Sequence, residues 1–85
     1  MRRILISHRG NINGRIPEKE NSPEYIIEAI NQGYDVEIDI RYVDGELILG
    51  HDDLQYPITL EWLTKYEDRL WVHCKNIQAI EFFTI

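Results

Sequence analysis

Three features are scarce in this chain of 85 residues: cysteine, basic side chains and long apolar runs. A single cysteine, Cys74, cannot form an internal disulfide, so a reducing, cytoplasmic setting is the default expectation. The 15 acidic side chains outnumber the 9 basic ones, which argues against a nucleic-acid-binding surface because neutralising phosphates needs clustered lysine and arginine. The first apolar run, at residues 4–6, is too short for a signal-peptide core or a membrane span.

Nothing in the sequence divides the chain. We find no internal repeat of fixed period, no low-complexity segment and no linker. Eighty-five residues suffice for one small domain at most, so residues 1–85 are expected to belong to a single domain.

Hydrogen-bonding side chains mark the starts of three helices. Ser22 precedes Pro23, and a hydroxyl cap before a proline at the first helical position is a typical helix start. Thr59 and Asn76 offer comparable caps for a second and a third helix. Gly33 is expected to end the first helix.

Strands are predicted at residues 4–7, 34–42 and 70–72. The middle one alternates, with Val36, Ile38 and Ile40 on one face and charged side chains on the other. Asp44-Gly45 is a hairpin turn signal, after which residues 46–50 return as a second extended run. Strand, helix, strand, helix, strand, helix is the order of a parallel α/β fold.

Each predicted parallel strand is apolar until its carboxyl end, where ligands bind in such folds. The polar groups at these ends are His8 and Arg9, Glu37 and Asp39, and His73 and Lys75. Glu37 and Asp39 are two residues apart on one strand, so their carboxylates point to the same face and favour a bound Mg²⁺, Ca²⁺ or Mn²⁺. Taken alone, however, such a pair more often belongs to an ordinary amphipathic strand with acids on its solvent side.

Two histidines extend this set of groups, in His8-Arg9-Gly10 and in His51-Asp52. An imidazole titrates near neutral pH and can accept or donate a proton, and Arg9 has the geometry to hold phosphate oxygens. A lone histidine is more often structural than catalytic. Together with the carboxylate pair, the two histidines form a specific combination.

The motifs recur in the order found in one known family. They are His8-Arg9-Gly10, Glu20-Asn21-Ser22, Gly33, Glu37-Ile38-Asp39, Asp44-Gly45 and His51-Asp52. Over about residues 4–55 the chain resembles the N-terminal part of the glycerophosphodiester phosphodiesterase family. The resemblance implies a TIM (β/α)₈ barrel, of which 85 residues would supply about three β/α units, so we expect a truncated chain.

The resemblance also implies an activity and its residues. A small phosphodiester would be hydrolysed to a phosphomonoester such as glycerol 3-phosphate and an alcohol, with His8 and His51 as general acid and base in an order that the sequence leaves open. Glu37 and Asp39 would bind the divalent cation, and Arg9 and Lys75 would bind the phosphate.

One position departs from the family pattern. Where the resemblance implies Glu-x-Lys, with the glutamate as a metal ligand, the chain has His73-Cys74-Lys75. His73 would then either ligate through nitrogen, which shifts the preference from Mg²⁺ or Ca²⁺ towards a transition metal, or leave the cation more weakly held. The structural alternative is a strand-end imidazole that forms a hydrogen bond with a neighbour. A non-catalytic phosphoester- or metal-binding homologue, or an inactive fragment, is therefore the competing hypothesis.

Overall fold

A computed structural model describes residues 3–84, which form a five-stranded sheet and three helices. A single 3₁₀ turn, Glu67–Arg69, joins the second helix to the last strand. The strands are β1 (Ile6–His8), β2 (Asp35–Val43), β3 (Glu46–Leu49), β4 (Tyr56–Ile58) and β5 (Leu70–Cys74); the helices are α1 (Pro23–Asn31), α2 (Leu60–Tyr66) and α3 (Ile77–Thr84).

The long strand β2 organises the sheet. Strand β1 pairs parallel with its first part and β3 pairs antiparallel with its second part, while β5 runs parallel along it. Val36 has partners in both β1 and β5, and Ile40 has partners in both β3 and β5. Because a strand has two edges, β1 and β3 occupy one edge of β2 in succession and β5 occupies the other. Strand β4 extends the sheet antiparallel to β3.

The prediction of parallel β/α units forming the first part of a TIM (β/α)₈ barrel is wrong. The sheet is mixed, with two parallel and two antiparallel pairings. The hairpin at Asp44-Gly45, itself correctly predicted, reverses the chain, and β4 then continues the antiparallel part. Strand β4 was missed because it is only three residues long and contains Pro57, which strands tolerate mainly at their edges.

The core follows from the alternation along β2. Val36, Ile38 and Ile40 are fully buried, and they pack in one cluster with Ile26 and Ala29 of α1. Further cluster members come from β3, α2 and α3. Burying the apolar side chains of one sheet face beneath the helices stabilises the fold and leaves the opposite face of β2 for Glu37 and Asp39.

The predicted helix caps are confirmed. The side-chain oxygens of Ser22, Thr59 and Asn76 accept hydrogen bonds from backbone N–H groups in the first turns of α1, α2 and α3. The first helix ends just before Gly33, which adopts a positive φ of 95°. No helix among residues 3–84 is long and apolar enough to cross a membrane.

We predict that Gly10→Ala destabilises the protein more than Gly14→Ala. Both glycines have a φ of +92°, so both variants carry the same left-handed backbone strain. A Cβ at position 10 would lie 2.7 Å from Cδ2 of the buried Tyr25 ring, whereas one at position 14 meets nothing within 4 Å. The additional loss at position 10 should be about 1–3 kcal/mol, the usual cost of overpacking, measured by urea denaturation. Equal losses would show that Tyr25 does not pack against Gly10.

Candidate functional site

The candidate site lies where two chain segments meet beside β2. Strand β1 ends at His8 and β3 ends at Leu49, on the same edge of β2 and facing one another along it. The backbone N–H of Arg9 then donates to the carbonyl of Glu37 at 2.8 Å, and that of Gly50 donates to the carbonyl of Asp39 at 3.1 Å. The loops carrying the two histidine motifs are thus brought to the same carboxylate pair, although the motifs are far apart in sequence.

Asp39 is fully buried, and its charge is compensated by two side chains. Its Oδ2 accepts a hydrogen bond from Nδ2 of Asn21 at 3.0 Å and lies 2.8 Å from Nε of Arg9. The Arg9 contact is short but poorly aligned for a hydrogen bond, so we describe it as an ion pair. A buried carboxylate without such partners would be strongly destabilising.

A second acid, Glu20, fixes the other side of the Arg9 guanidinium. Its carboxylate accepts hydrogen bonds from Nη1 of Arg9 at 3.1 Å, Nδ2 of Asn11 at 2.8 Å and Nε of Arg15 at 3.3 Å. Arg9 is only 8% exposed and directs donors at two protein carboxylates. These contacts restrict its freedom to reach a substrate, and the phosphate-binding role of Arg9 stays a prediction.

The backbone at this junction is held in a costly conformation. Arg9 and Asn21 have φ values of 58° and 66°, in the left-handed region that residues other than glycine rarely adopt. The strain is of the order of 1–2 kcal/mol for a residue such as arginine and less for asparagine, whose side chain tolerates this region. The N–H of Asn21 donates to the carbonyl of Arg9 at 3.0 Å. This hydrogen bond links the two residues that have left-handed backbone conformations.

The pKa values of Glu37 and Asp39 are shifted in opposite directions. Burial and the neighbouring Asp39 charge raise the pKa of Glu37 above its ordinary value. Burial also acts to raise the pKa of Asp39, but the Asn21 hydrogen bond and the Arg9 charge outweigh it and keep this pKa below its ordinary value. Asp39 therefore keeps its charge to lower pH than Glu37 does.

Glu37, Asp39 and His73 form the only group of potential metal ligands found within residues 3–84, with their ligand atoms within 4.8 Å of one another. Strand pairing places His73 directly opposite Asp39. Its Nδ1 lies 3.1 Å from Oδ1 of Asp39 and 3.6 Å from Oε2 of Glu37. Ligands about 2.0–2.2 Å from one cation stand about 3 Å apart when adjacent, and the two His73 separations are close to this spacing.

The two predicted catalytic histidines lie near different members of this cluster, His8 near Glu37 and His51 near Asp39. Nε2 of His8 is 3.4 Å from Oε1 of Glu37, an oxygen that is buried and forms no hydrogen bond. Nδ1 of His51 is 3.0 Å from Oδ1 of Asp52, and His51 is close enough to Asp39 for its charge to help lower the pKa of that carboxyl. His51 also lines a cavity of about 120 Å³ together with Arg9, Glu20 and Asn21.

Two further residues near the cluster, Trp71 and Lys75, lie on β5 or directly after it. Lys75 follows β5 and is tied to β2 through its backbone N–H, but its ammonium forms no ion pair with any described residue. Trp71, opposite Glu37 in the strand register, is 49% exposed on the same face, and its indole N–H donates to Asp35. Trp71 was not predicted as a site residue, although its two-residue spacing from His73 gives both the same face.

Comparison with known proteins adds no relationship: no protein-family model, no curated protein and no solved structure matches the chain. The resemblance to the phosphodiesterase family accordingly remains a sequence-based expectation.

We predict that Glu20→Gln lowers stability at neutral pH and flattens its dependence on acid. Burial acts to raise the pKa of Glu20, but Asn11, Arg9 and Arg15 outweigh it, so the folded pKa lies below the ordinary value of 4.5. The ionised side chain therefore stabilises the fold above about pH 4.5, and this stabilisation is lost as the pH falls through the lowered pKa. Replacing it should cost about 1–3 kcal/mol at pH 7, measured by denaturation between pH 7 and 3.

The exposed Glu18 provides a matched control on the same loop. Glu18→Gln should follow the wild-type pH profile. If Glu20→Gln and wild type lost stability in parallel on acidification, the Glu20 carboxylate would not be ionised and paired as described.

Proposed function

We propose that the protein cleaves a small phosphodiester with the help of a divalent cation. The single observation that carries this proposal is that His8 and the loop carrying His51 both meet β2 at the cluster of Glu37, Asp39 and His73. Proton-transfer groups beside a cation site are what phosphodiester cleavage requires, because a phosphate oxygen must be neutralised and a leaving alkoxide protonated. The family resemblance of the motifs points to the same reaction.

Glu37, Asp39 and His73 are the side chains that would hold the cation. The ion, when bound, supplies positive charge to the phosphate oxygens and so lowers the cost of the charge that develops there. The set of one nitrogen and two oxygen donors is compatible with Mg²⁺, Ca²⁺, Mn²⁺ or a transition metal. Lys75, at the end of the strand that carries His73, adds a positive charge in the same region.

His8 and His51 carry out the two proton transfers of the reaction, one with the attacking oxygen and one with the leaving group. Each imidazole has one nitrogen directed at a carboxylate, His8 at Glu37 and His51 at Asp52. A carboxylate beside one ring nitrogen favours a proton on that nitrogen and leaves the opposite nitrogen to serve the substrate. One histidine takes a proton from the attacking oxygen and the other protonates the alcohol that leaves.

Replacing either histidine should reduce turnover of a glycerophosphodiester strongly. His8→Ala and His51→Ala are each expected to lose about two to four powers of ten, the usual contribution of positioned proton transfer. The double variant should lose much less than the product of the two, because groups that act together are not additive. A substrate with a nitrophenyl leaving group should rescue only the variant that lacks the general acid, which assigns the two roles.

His73→Ala serves as the comparison in the same assay, because it removes a ligand instead of a proton-transfer group and gains nothing from the nitrophenyl substrate. Near-normal rates for both single histidine variants would refute the two-histidine mechanism. Rescue of both variants, or of neither, would refute the division into acid and base.

A second candidate function is suggested by the contact between His73 and Asp39. A separation of 3.1 Å is also that of a hydrogen bond, and a protonated His73 would neutralise the carboxylates without a metal. In that case the protein would be a non-catalytic module that binds a phosphoester.

His73→Glu separates the two candidates. If His73 is a working nitrogen ligand, we expect the variant to lose cation-dependent turnover, measured with Mg²⁺ and Mn²⁺ on a glycerophosphodiester. A large gain in turnover would instead identify the natural protein as a binding module derived from an enzyme that used an acid at this position.

A further inference from the structure

Asn21 is the one fully buried, uncharged polar side chain of the site, and both ends of its amide are used on the same residue. Its Nδ2 donates to Oδ2 of Asp39 at 3.0 Å, and its Oδ1 accepts the backbone N–H of Asp39 at 2.9 Å. A side chain that holds both the backbone and the carboxylate of one residue fixes the rotation of that carboxylate.

The Asp39 backbone N–H needs this partner because of the sheet topology. On the edge of β2 where β1 has ended and β3 has not yet begun to pair, Asp39 lies between the last β1 partner, Glu37, and the first β3 partner, Ile40. A buried N–H left unpaired there would cost about 1–3 kcal/mol. The side-chain oxygen of Asn21 takes the place of the backbone carbonyl that a neighbouring strand would otherwise supply.

The two oxygens of Asp39 consequently have different surroundings. Oδ2 is directed at Asn21 and Arg9, whereas Oδ1 faces Nδ1 of His73 at 3.1 Å. We infer that Asn21 is a positioning residue, which presents Asp39 to the candidate cation site through Oδ1 alone. This inference rests on the proposed function, because it gives Asp39 the part of a ligand.

Asn21 is well placed to impose this geometry because the residues on either side of it are held by hydrogen bonds. It directly precedes Ser22, the cap of α1, and the Tyr25 ring of that helix packs against Gly10 in the loop that carries Arg9. Glu20, on its other side, clamps the Arg9 guanidinium. The start of α1 and the loop after β1 therefore hold Asp39 as one unit.

The test measures Mn²⁺ affinity of the 85-residue chain by calorimetry, with Asn21→Gly as the variant. Glycine accepts the φ of 66° without strain, so the change removes the amide and leaves the backbone conformation available. We expect Mn²⁺ binding by the folded variant to weaken about 10- to 100-fold, the usual effect of removing a group that orients a ligand. Asn13→Gly, an exposed position in the loop between β1 and α1, should bind Mn²⁺ like the wild type.

A purely structural role gives a different result. Asn21→Gly would then unfold at a lower denaturant concentration without metal, while the folded protein kept its Mn²⁺ affinity, and that outcome overturns the inference. If wild type binds none of Mn²⁺, Mg²⁺, Ca²⁺ and Zn²⁺, the inference and the proposed function both fail. If wild type binds Mn²⁺ and cleaves the diester but Asn21→Gly is unchanged in affinity, the inference alone fails.

A variant-free measurement covers the case in which Asn21→Gly does not fold. In ¹⁵N-labelled wild type, saturation with diamagnetic Zn²⁺, which accepts carboxylate and imidazole ligands, should shift the side-chain amide resonance of Asn21 and not that of Asn13. The shift is expected because drawing charge towards Oδ1 weakens the hydrogen bond at Oδ2. An unmoved Asn21 resonance overturns the positioning role.

Discussion

The buried carboxylate of Asp39 is the constraint on which the rest of the site depends. Removing an anion from water costs several kcal/mol, and the cost is met only where charge and hydrogen bonds replace the lost water. Arg9 and Asn21 provide that replacement, and both adopt left-handed backbone conformations to do so. The loop after β1 and the start of α1 are thus shaped around one side chain of β2.

The shared edge of β2 explains why this anion can be served from so many directions. A strand paired continuously along both edges would leave no gap for a side chain to reach its backbone. Here the parallel strand β1 stops and the antiparallel strand β3 approaches from the other end, which opens a gap beside Asp39. Three groups contact Asp39 at this gap: the Asn21 side chain, the Arg9 guanidinium and the loop carrying His51. The mixed sheet, which sequence analysis did not anticipate, is what assembles the site.

The local features of the chain were predictable from sequence, whereas the non-local ones were not. Strand alternation correctly put Ile38 in the core and placed Glu37 and Asp39 on the opposite face. Alternation could not reveal that Asp39 is fully buried, since the groups that cover it come from a loop and a helix start distant in sequence. Nor could it place β4, which has only three residues, contains Pro57 and pairs with β3.

The same local patterns predicted separate parallel units, because a pattern of strands and helices records their order and does not record which strands become neighbours. The hairpin signal at Asp44-Gly45 was sufficient to identify one antiparallel pair. The fold prediction nevertheless followed the order of the elements and the resemblance of the motifs to a barrel family, both of which indicate parallel strands. Short motifs constrain the residues around a site more strongly than they constrain the sheet that carries them.

The charge balance of the site bears on which cation it suits. The negative charge of Asp39 is shared with a guanidinium 2.8 Å away, and a histidine stands where the family resemblance implies a third carboxylate. Glu37 faces the imidazoles of His8 and His73 instead of a guanidinium, and because its pKa is raised, protons compete with a cation for it more than they do for Asp39. Hard cations such as Mg²⁺ and Ca²⁺ depend on anionic oxygen ligands, whereas an imidazole nitrogen contributes more to binding a transition metal. In the proposed site, an imidazole at position 73 in place of a third carboxylate moves the preference towards Mn²⁺ or a later transition metal.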